Sequence, residues 1–221
     1  MPLIRGVFLK NIIMKAKTKA TQDQMTPVSA LKELVEGNKR FVEKKQLNRD
    51  LMQQVAETST GQYPFATVLS CIDSRVSSEL IFDQGIGDIF SVRIAGNFVN
   101  EDILGSMEFA CKLAGTKLIL VLGHTACGAV KGACDHARLG NLTALINKIE
   151  PAVAAVKEPA QESKRNSSNP TFVNDVAKMN VKMTIEAIRT QSQVLKEMED
   201  AGTIHIVGGM YDISTGTVTF Y

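Results

Sequence analysis

The chain has 221 residues and a mass of 24.0 kDa, with 44% hydrophobic and 22% charged residues, which is enough to bury a sizeable core and excludes compositional disorder. Its formal charge of +2 hides an asymmetry: Arg5, Lys10, Lys15, Lys17 and Lys19 precede the first acidic residue, Asp23, so the rest of the chain carries a net −3. That balance offers no basic face for nucleic acid, and no run approaches the ~18 consecutive apolar residues of a membrane span.

Residues 1–25 read as a basic arm, flexible or wrapped on a partner. An export segment and an upstream start before a true Met14 are the other readings, and Lys10 and Asn11 break the apolar run that a signal segment needs. Thr26 before Pro27 marks a helix start, because Thr caps free amides and Pro tolerates the first helical position. Val28, Leu31, Leu34, Val35, Phe41 and Val42 then recur at helical spacing to about residue 45.

From residue 65 the pattern changes. FATVLSC (65–71) is a short β-branched apolar run, the pattern of a strand buried on both faces. A helical segment at 77–82, a Gly-rich turn at 84–88 and a second strand, IFSVRIA (89–95), follow. A helix over 101–113 is bounded by Gly115, and LILVLG (118–123) is the clearest buried strand. Helices are expected from 126 to 133, 142 to 157 and 173 to 198, then a strand at 203–212 and a turn with an edge strand over 214–221. Alternating strands and helices predict an α/β fold: a mostly parallel central sheet flanked by helices, with an N-terminal helical arm. Residues 26–221 are expected to form one domain.

Two short segments carry the candidate chemistry. In an extended chain, Cys71 and Asp73 project to the same side while Ile72 points away. His124 ends the LILVLG strand, and Cys127 lies three residues on, a short reach that ligand pairs use. Both pairs follow predicted parallel strands, where open α/β sheets place their ligands. Two thiolates, an imidazole and a carboxylate suit tetrahedral zinc; magnesium and calcium prefer oxygen, and iron is a weaker candidate. Arg75 offers a planar fork to the Asp73 carboxylate. Cys111 reads as core in an amphipathic helix, and Cys134 with His136 lacks neighbouring donors. Four cysteines in a chain of this length do not form a disulfide framework, which favours a reducing, cytoplasmic setting.

CIDSR (71–75) followed about fifty residues later by HTAC (124–127), on this strand pattern, resembles the β-class carbonic anhydrases. The likeness runs from about residue 31 to the C-terminus and includes GNKRF (37–41), GQYP (61–64) and AVKG (129–132). It implies reversible hydration of carbon dioxide to bicarbonate by hydroxide on zinc. Cys71, His124 and Cys127 would hold the metal permanently, while Asp73 either fills the fourth position or pairs with Arg75. It also implies Gln62 as a hydrogen-bond donor to CO2 or bicarbonate, and Phe90, Ala95 and Phe109 as an apolar wall; many relatives carry Tyr where Phe109 stands.

Assembly as a homodimer or a dimer of dimers is implied too, with Gln62 reaching the neighbour's site. Some relatives are regulated by bicarbonate beside an Arg at the position of Arg93, with a Trp three residues before the first zinc Cys. Here that position is Val68 and the chain has no Trp, so simple rather than sigmoidal behaviour is expected. Competing readings are a CS2 or COS hydrolase of the same fold and a non-catalytic protein with structural zinc.

Overall fold

The computed structural model describes residues 13–221, so the first twelve residues of the expected arm lie outside the described residues. The fold is α/β, as expected. A five-stranded sheet runs β2-β1-β3-β4-β5, where β1 is Ala66–Ser70, β2 Ile89–Arg93, β3 Leu118–His124, β4 His205–Tyr211 and β5 Val218–Phe220. The first four strands are parallel, and only β5 runs antiparallel, against β4.

The strand sequences explain why both faces are covered. Along β3, Ile119 and Val121 enter one core cluster, while Leu118, Leu120 and Leu122 enter the other, the two-residue alternation of a pleated strand. Every residue of β1 and of β3 is buried. Edge strand β2 is only half buried, so its exposed row of backbone groups is open to pairing.

Helix α1 (Lys19–Asp23) precedes α2 (Pro27–Val42), which starts as expected: the Thr26 and Ser29 side chains cap each other's backbone amides. Described residues of the arm are seated on the domain itself. Gln22 is 1% exposed, and its Nε2 donates to the carbonyls of Pro64 and Ala114 at 2.7 and 2.8 Å.

GNKRF, at the end of α2, anchors the chain ahead of β2. A Cβ on Gly37 would sit 1.8 Å from the Phe82 carbonyl oxygen, so only glycine allows that approach. Buried Asn38 donates to the carbonyls of Ile81 and Gly216 at 3.1 and 2.9 Å and accepts from the Val218 N–H at 2.8 Å. Arg40 and Arg49 both bind the Asp83 carboxylate, each at 2.5 Å, where Asp83 adopts φ +48°.

Several elements depart from the sequence expectation. Helix α3 (Leu51–Thr58), capped by Asp50, was not anticipated, because Leu51, Met52 and Val55 are exposed and leave no buried apolar stripe to read. After α4 (Ser78–Ile81) and β2, the helix expected over 101–113 is α5 (Glu101–Glu108) continued by one π-helical turn, Phe109–Leu113. Helices α6 (Gly128–Cys134) and α7 (Gly140–Ala155) follow β3. The long helix expected over 173–198 is two, α8 (Pro170–Gln191) and α9 (Gln193–Asp200). Ser192 separates them, its hydroxyl accepting from the Leu195 N–H at 3.2 Å and donating to Glu108 at 2.5 Å.

Asn38→Leu would leave two carbonyls and one amide buried without partners. Each such group costs about 1–3 kcal/mol, so urea unfolding is expected to show a loss of at least 3 kcal/mol. A change under about 1 kcal/mol would contradict this role.

Candidate metal centre

The order of strands creates the site. The chain leaves β1 toward β2 on one side, then crosses back to β3 on the other and continues to β4. The carboxyl ends of β1 and β3 therefore flank the switch point of the sheet, where such sheets bind ligands. Ser70 pairs with Leu122, so Cys71 just past β1 stands beside His124 at the end of β3. Cys127 is the N-cap residue of α6 and reaches the same point.

The ligand atoms of Cys71, His124 and Cys127 all lie within 4.8 Å of one another, and all three residues are buried. The two sulfurs are 3.9 Å apart. His124 Nδ1 faces the Thr125 carbonyl oxygen at 2.9 Å, which assigns the proton to Nδ1 and leaves a lone pair on Nε2. Nε2 is buried and has no hydrogen-bond partner. An imidazole nitrogen without a partner beside two thiols is costly as a plain core feature and fits a metal, and the set N, S, S is one that zinc takes. Among the described residues this is the one such group.

The sulfurs perturb each other. The hydrogen bond from Cys127 holds Cys71 well below the usual thiol range, with contacts from His124 and the Gly96 N–H acting in the same direction. Cys127 is pushed up by that hydrogen bond to Cys71 and then by burial.

Asp73 lies at the rim of this set. Its Oδ2 is 4.0 Å from His124 Nε2, but it accepts a 2.7 Å bond from Arg75 Nη2. Its Oδ1 accepts from Arg75 Nε at 2.9 Å and from the Arg75 backbone N–H at 3.0 Å. The Arg75 guanidinium therefore holds the Asp73 carboxyl well below the usual carboxylate range.

Sequence reasoning considered Arg93 only as a regulatory position. In the structure its Nε donates to the Cys71 carbonyl at 3.0 Å and its Nη2 to the Asp73 carbonyl at 2.8 Å, so it braces the backbone that carries both residues. The turn between His124 and Cys127 contains Ala126 at φ +56°, and its N–H bonds Asn174 Oδ1 at 3.2 Å. Arg93 acts over about 20 residues and Asn174 over 48, so neither carries a local sequence signal.

The remaining predicted residues fall into two places. Phe90 on β2 and Phe109 on the π turn meet edge to face at 6.3 Å and line an open groove that includes Arg93. Ala95 directly precedes Gly96, whose N–H contacts Cys71. Gln62 is exposed in the loop before β1, at the opposite end of that strand from Cys71. Five strand residues span about 16 Å, so Gln62 does not reach the metal centre of its own chain.

Cys111 is buried and accepts a bond from the Thr116 hydroxyl at 3.2 Å, as expected of a core thiol. Cys134 is buried while exposed His136 pairs with Glu150, so these two form no donor pair.

Cys71→Ala, His124→Ala and Cys127→Ala are each expected to reduce zinc, measured by elemental analysis after dialysis, from about one per chain to below about a tenth. Cys134→Ala is expected to retain it. Zinc retained in the His124 variant would contradict the assignment.

Residues 66–218 match the family model described as carbonic anhydrase. Over 196 residues the chain is 35% identical to carbonic anhydrase 2 of Mycobacterium tuberculosis, covering 86% of this chain and 90% of that protein. The β-carbonic anhydrase CafA of Aspergillus fumigatus superposes with a TM-score of 0.65 at 25% identity, covering 88% of this chain and 89% of that one. A structure from Sordaria macrospora, described as one of two tetrameric β-carbonic anhydrases, superposes with a TM-score of 0.64 at 22% identity, covering 75% and 84%. With the paired strand ends, the buried Cys-His-Cys set and these likenesses together, the chain belongs to the carbonic anhydrase family, in its β class.

Proposed function

We propose that this chain catalyses the reversible hydration of carbon dioxide, CO2 + H2O to bicarbonate and a proton, at a zinc ion held by Cys71, His124 and Cys127. The observation that carries the reading is the buried three-donor set, with His124 Nε2 unpartnered and the nearest carboxylate engaged by Arg75. Bound there, zinc supplies the Lewis acidity that makes a nucleophile of water near neutral pH.

The protein's part is to keep the fourth position free and to receive the substrate. A four-ligand site is closed, whereas three protein ligands leave room for water. Arg75 withdraws Asp73 from that position through two parallel N–H to oxygen bonds, the strong planar form of this pairing. Asp73 released from Arg75 is the residue placed to close the site, since Oδ2 already lies 4.0 Å from His124 Nε2. The pair thus acts as the gate.

Sign matters for its pH dependence. A depressed carboxylate pKa keeps Asp73 ionised and paired above the unfolded value of about 3.9, and the pairing is lost only as pH falls through the lower folded value. Between pH 6 and 9 the gate does not titrate. Activity that rises over that range then reports another group, and two thiolate ligands, richer donors than imidazoles, favour a high-pH optimum.

Ala95 gives CO2 an apolar surface beside Cys71, whereas Phe90, level with Thr67 on β1, and Phe109 would bring their apolar groove, together with the Gln62 donor for bicarbonate, to the centre of a second copy. Because Gln62 lies at the far end of β1, it serves a second copy of the chain, which makes the working unit at least a dimer. The half-exposed edge of β2 supports that reading, as does the exposed stripe of Val28, Val35 and Val42 on α2. The Sordaria relative's description as tetrameric agrees with a dimer of dimers. A cytoplasmic setting is the reading supported by four cysteines that do not make a disulfide framework in a chain of this length.

Asp73→Ala is expected to bind zinc normally and to change CO2 hydration, measured by stopped flow at pH 6 and pH 9, by at least 10-fold at one of them. Unchanged rates at both would refute the gate. In the unmodified protein the rate is expected to rise from pH 6 to 9 along a simple titration curve. A profile flat over that range, or a steep cooperative loss below pH 8, would contradict the reading.

A further inference from the structure

One buried side chain on α8, which packs in the same core cluster as Cys71 and Cys127, acts on the metal centre through the backbone. Asn180, in the middle of α8, is 3% exposed, and its Nδ2 donates to the Gly96 carbonyl oxygen at 2.7 Å. The Gly96 N–H in turn points at Cys71 Sγ, at 3.4 Å. One amide therefore grips the residue whose own amide faces a ligand sulfur.

The backbone at this point needs holding. Gly96 has φ +77° and Asn97 φ +41°, two successive left-handed residues of which the second is not glycine. A Cβ on Gly96 would come within 2.4 Å of Ile149 Cδ1, so the chain passes against α7 with no room for a side chain. The Asn97 N–H bonds the Ile94 carbonyl at 2.9 Å, but the Asn97 side-chain Nδ2 is buried without a partner and contributes nothing to the turn. Asn180 is the side chain that closes it.

An N–H directed at a metal thiolate orients it and withdraws charge from the sulfur, the kind of surrounding contact whose loss costs 10- to 100-fold in metal affinity or activity. We propose that Asn180 is a positioning residue for the metal centre: by holding the Gly96 carbonyl it keeps the Gly96 N–H on Cys71 Sγ and sets the orientation and donor strength of that ligand. This rests on the reading of Cys71, His124 and Cys127 as zinc ligands.

Three variants test it: Asn180→Leu and Asn180→Asp, which remove the donor at similar volume, and Thr184→Val, which alters a 4% exposed residue one turn further along α8. The readouts are zinc release to a chromogenic chelator and the sulfur-to-cobalt charge-transfer band of the cobalt-substituted protein. Both Asn180 variants are expected to release zinc about 10-fold faster than the unmodified protein, with the band moved to lower energy, while Thr184→Val matches the unmodified protein in both.

Release rate and band unchanged in a folded Asn180 variant would overturn the proposal, as would equal effects from Thr184→Val. If neither Asn180 variant folds while Thr184→Val does, Asn180 belongs to the fold alone and the proposal fails. Failure of the underlying reading looks different: the unmodified protein would then hold no zinc and show no charge-transfer band with cobalt.

Discussion

The parallel pairing of β1 with β3 is the interaction on which the site depends. These strands are neighbours in the sheet but separated in sequence by β2, so their carboxyl ends diverge into loops that turn to opposite sides. Register then does the rest. With Ser70 opposite Leu122, the next residues on each strand are a thiol and, one further on, an imidazole, both at the same edge of the core. A slip of one residue would turn Cys71 outward and bring exposed Ile72 toward the site, and would also reverse the apolar alternation that both core layers require. Core packing and site geometry are thus enforced by the same pairing.

Arginines divide the work around that edge. Arg75 binds the Asp73 side chain through two parallel bonds, whereas Arg93 binds the Cys71 and Asp73 carbonyls and so holds the loop that carries both residues. Separating the two tasks matters physically. In the proposed gate, a backbone that shifted with the Asp73 carboxylate would drag Cys71 along, since only one residue lies between them.

Much of this was legible in the sequence because both faces of the sheet are covered. A strand buried on both sides has to be apolar throughout, and LILVLG is; the alternation of strands and helices then predicts parallel order, and parallel order places the Cys71 and His124 segments at one end. What was not legible depended on exposure or on distance. Helix α3 presents Leu51, Met52 and Val55 outward, so its apolar residues do not mark a buried face. The break at Ser192 is hidden because apolar spacing continues across it while the cap is completed by Glu108, 84 residues away. Asn180 and Arg93 look like ordinary helix and strand residues until their carbonyl partners are seen. Gln62 was named through resemblance, and the structure places it at the far end of β1.

The most direct measurement is a titration of metal-free protein with zinc, following CO2 hydration at pH 9 as metal is added. The rate should rise in proportion to zinc and level off at one ion per chain, with Cys71, His124 and Cys127 all intact. Hydration that is already complete without zinc, or zinc bound at one per chain with no hydration above the solution rate, would contradict a catalytic centre built on these three residues.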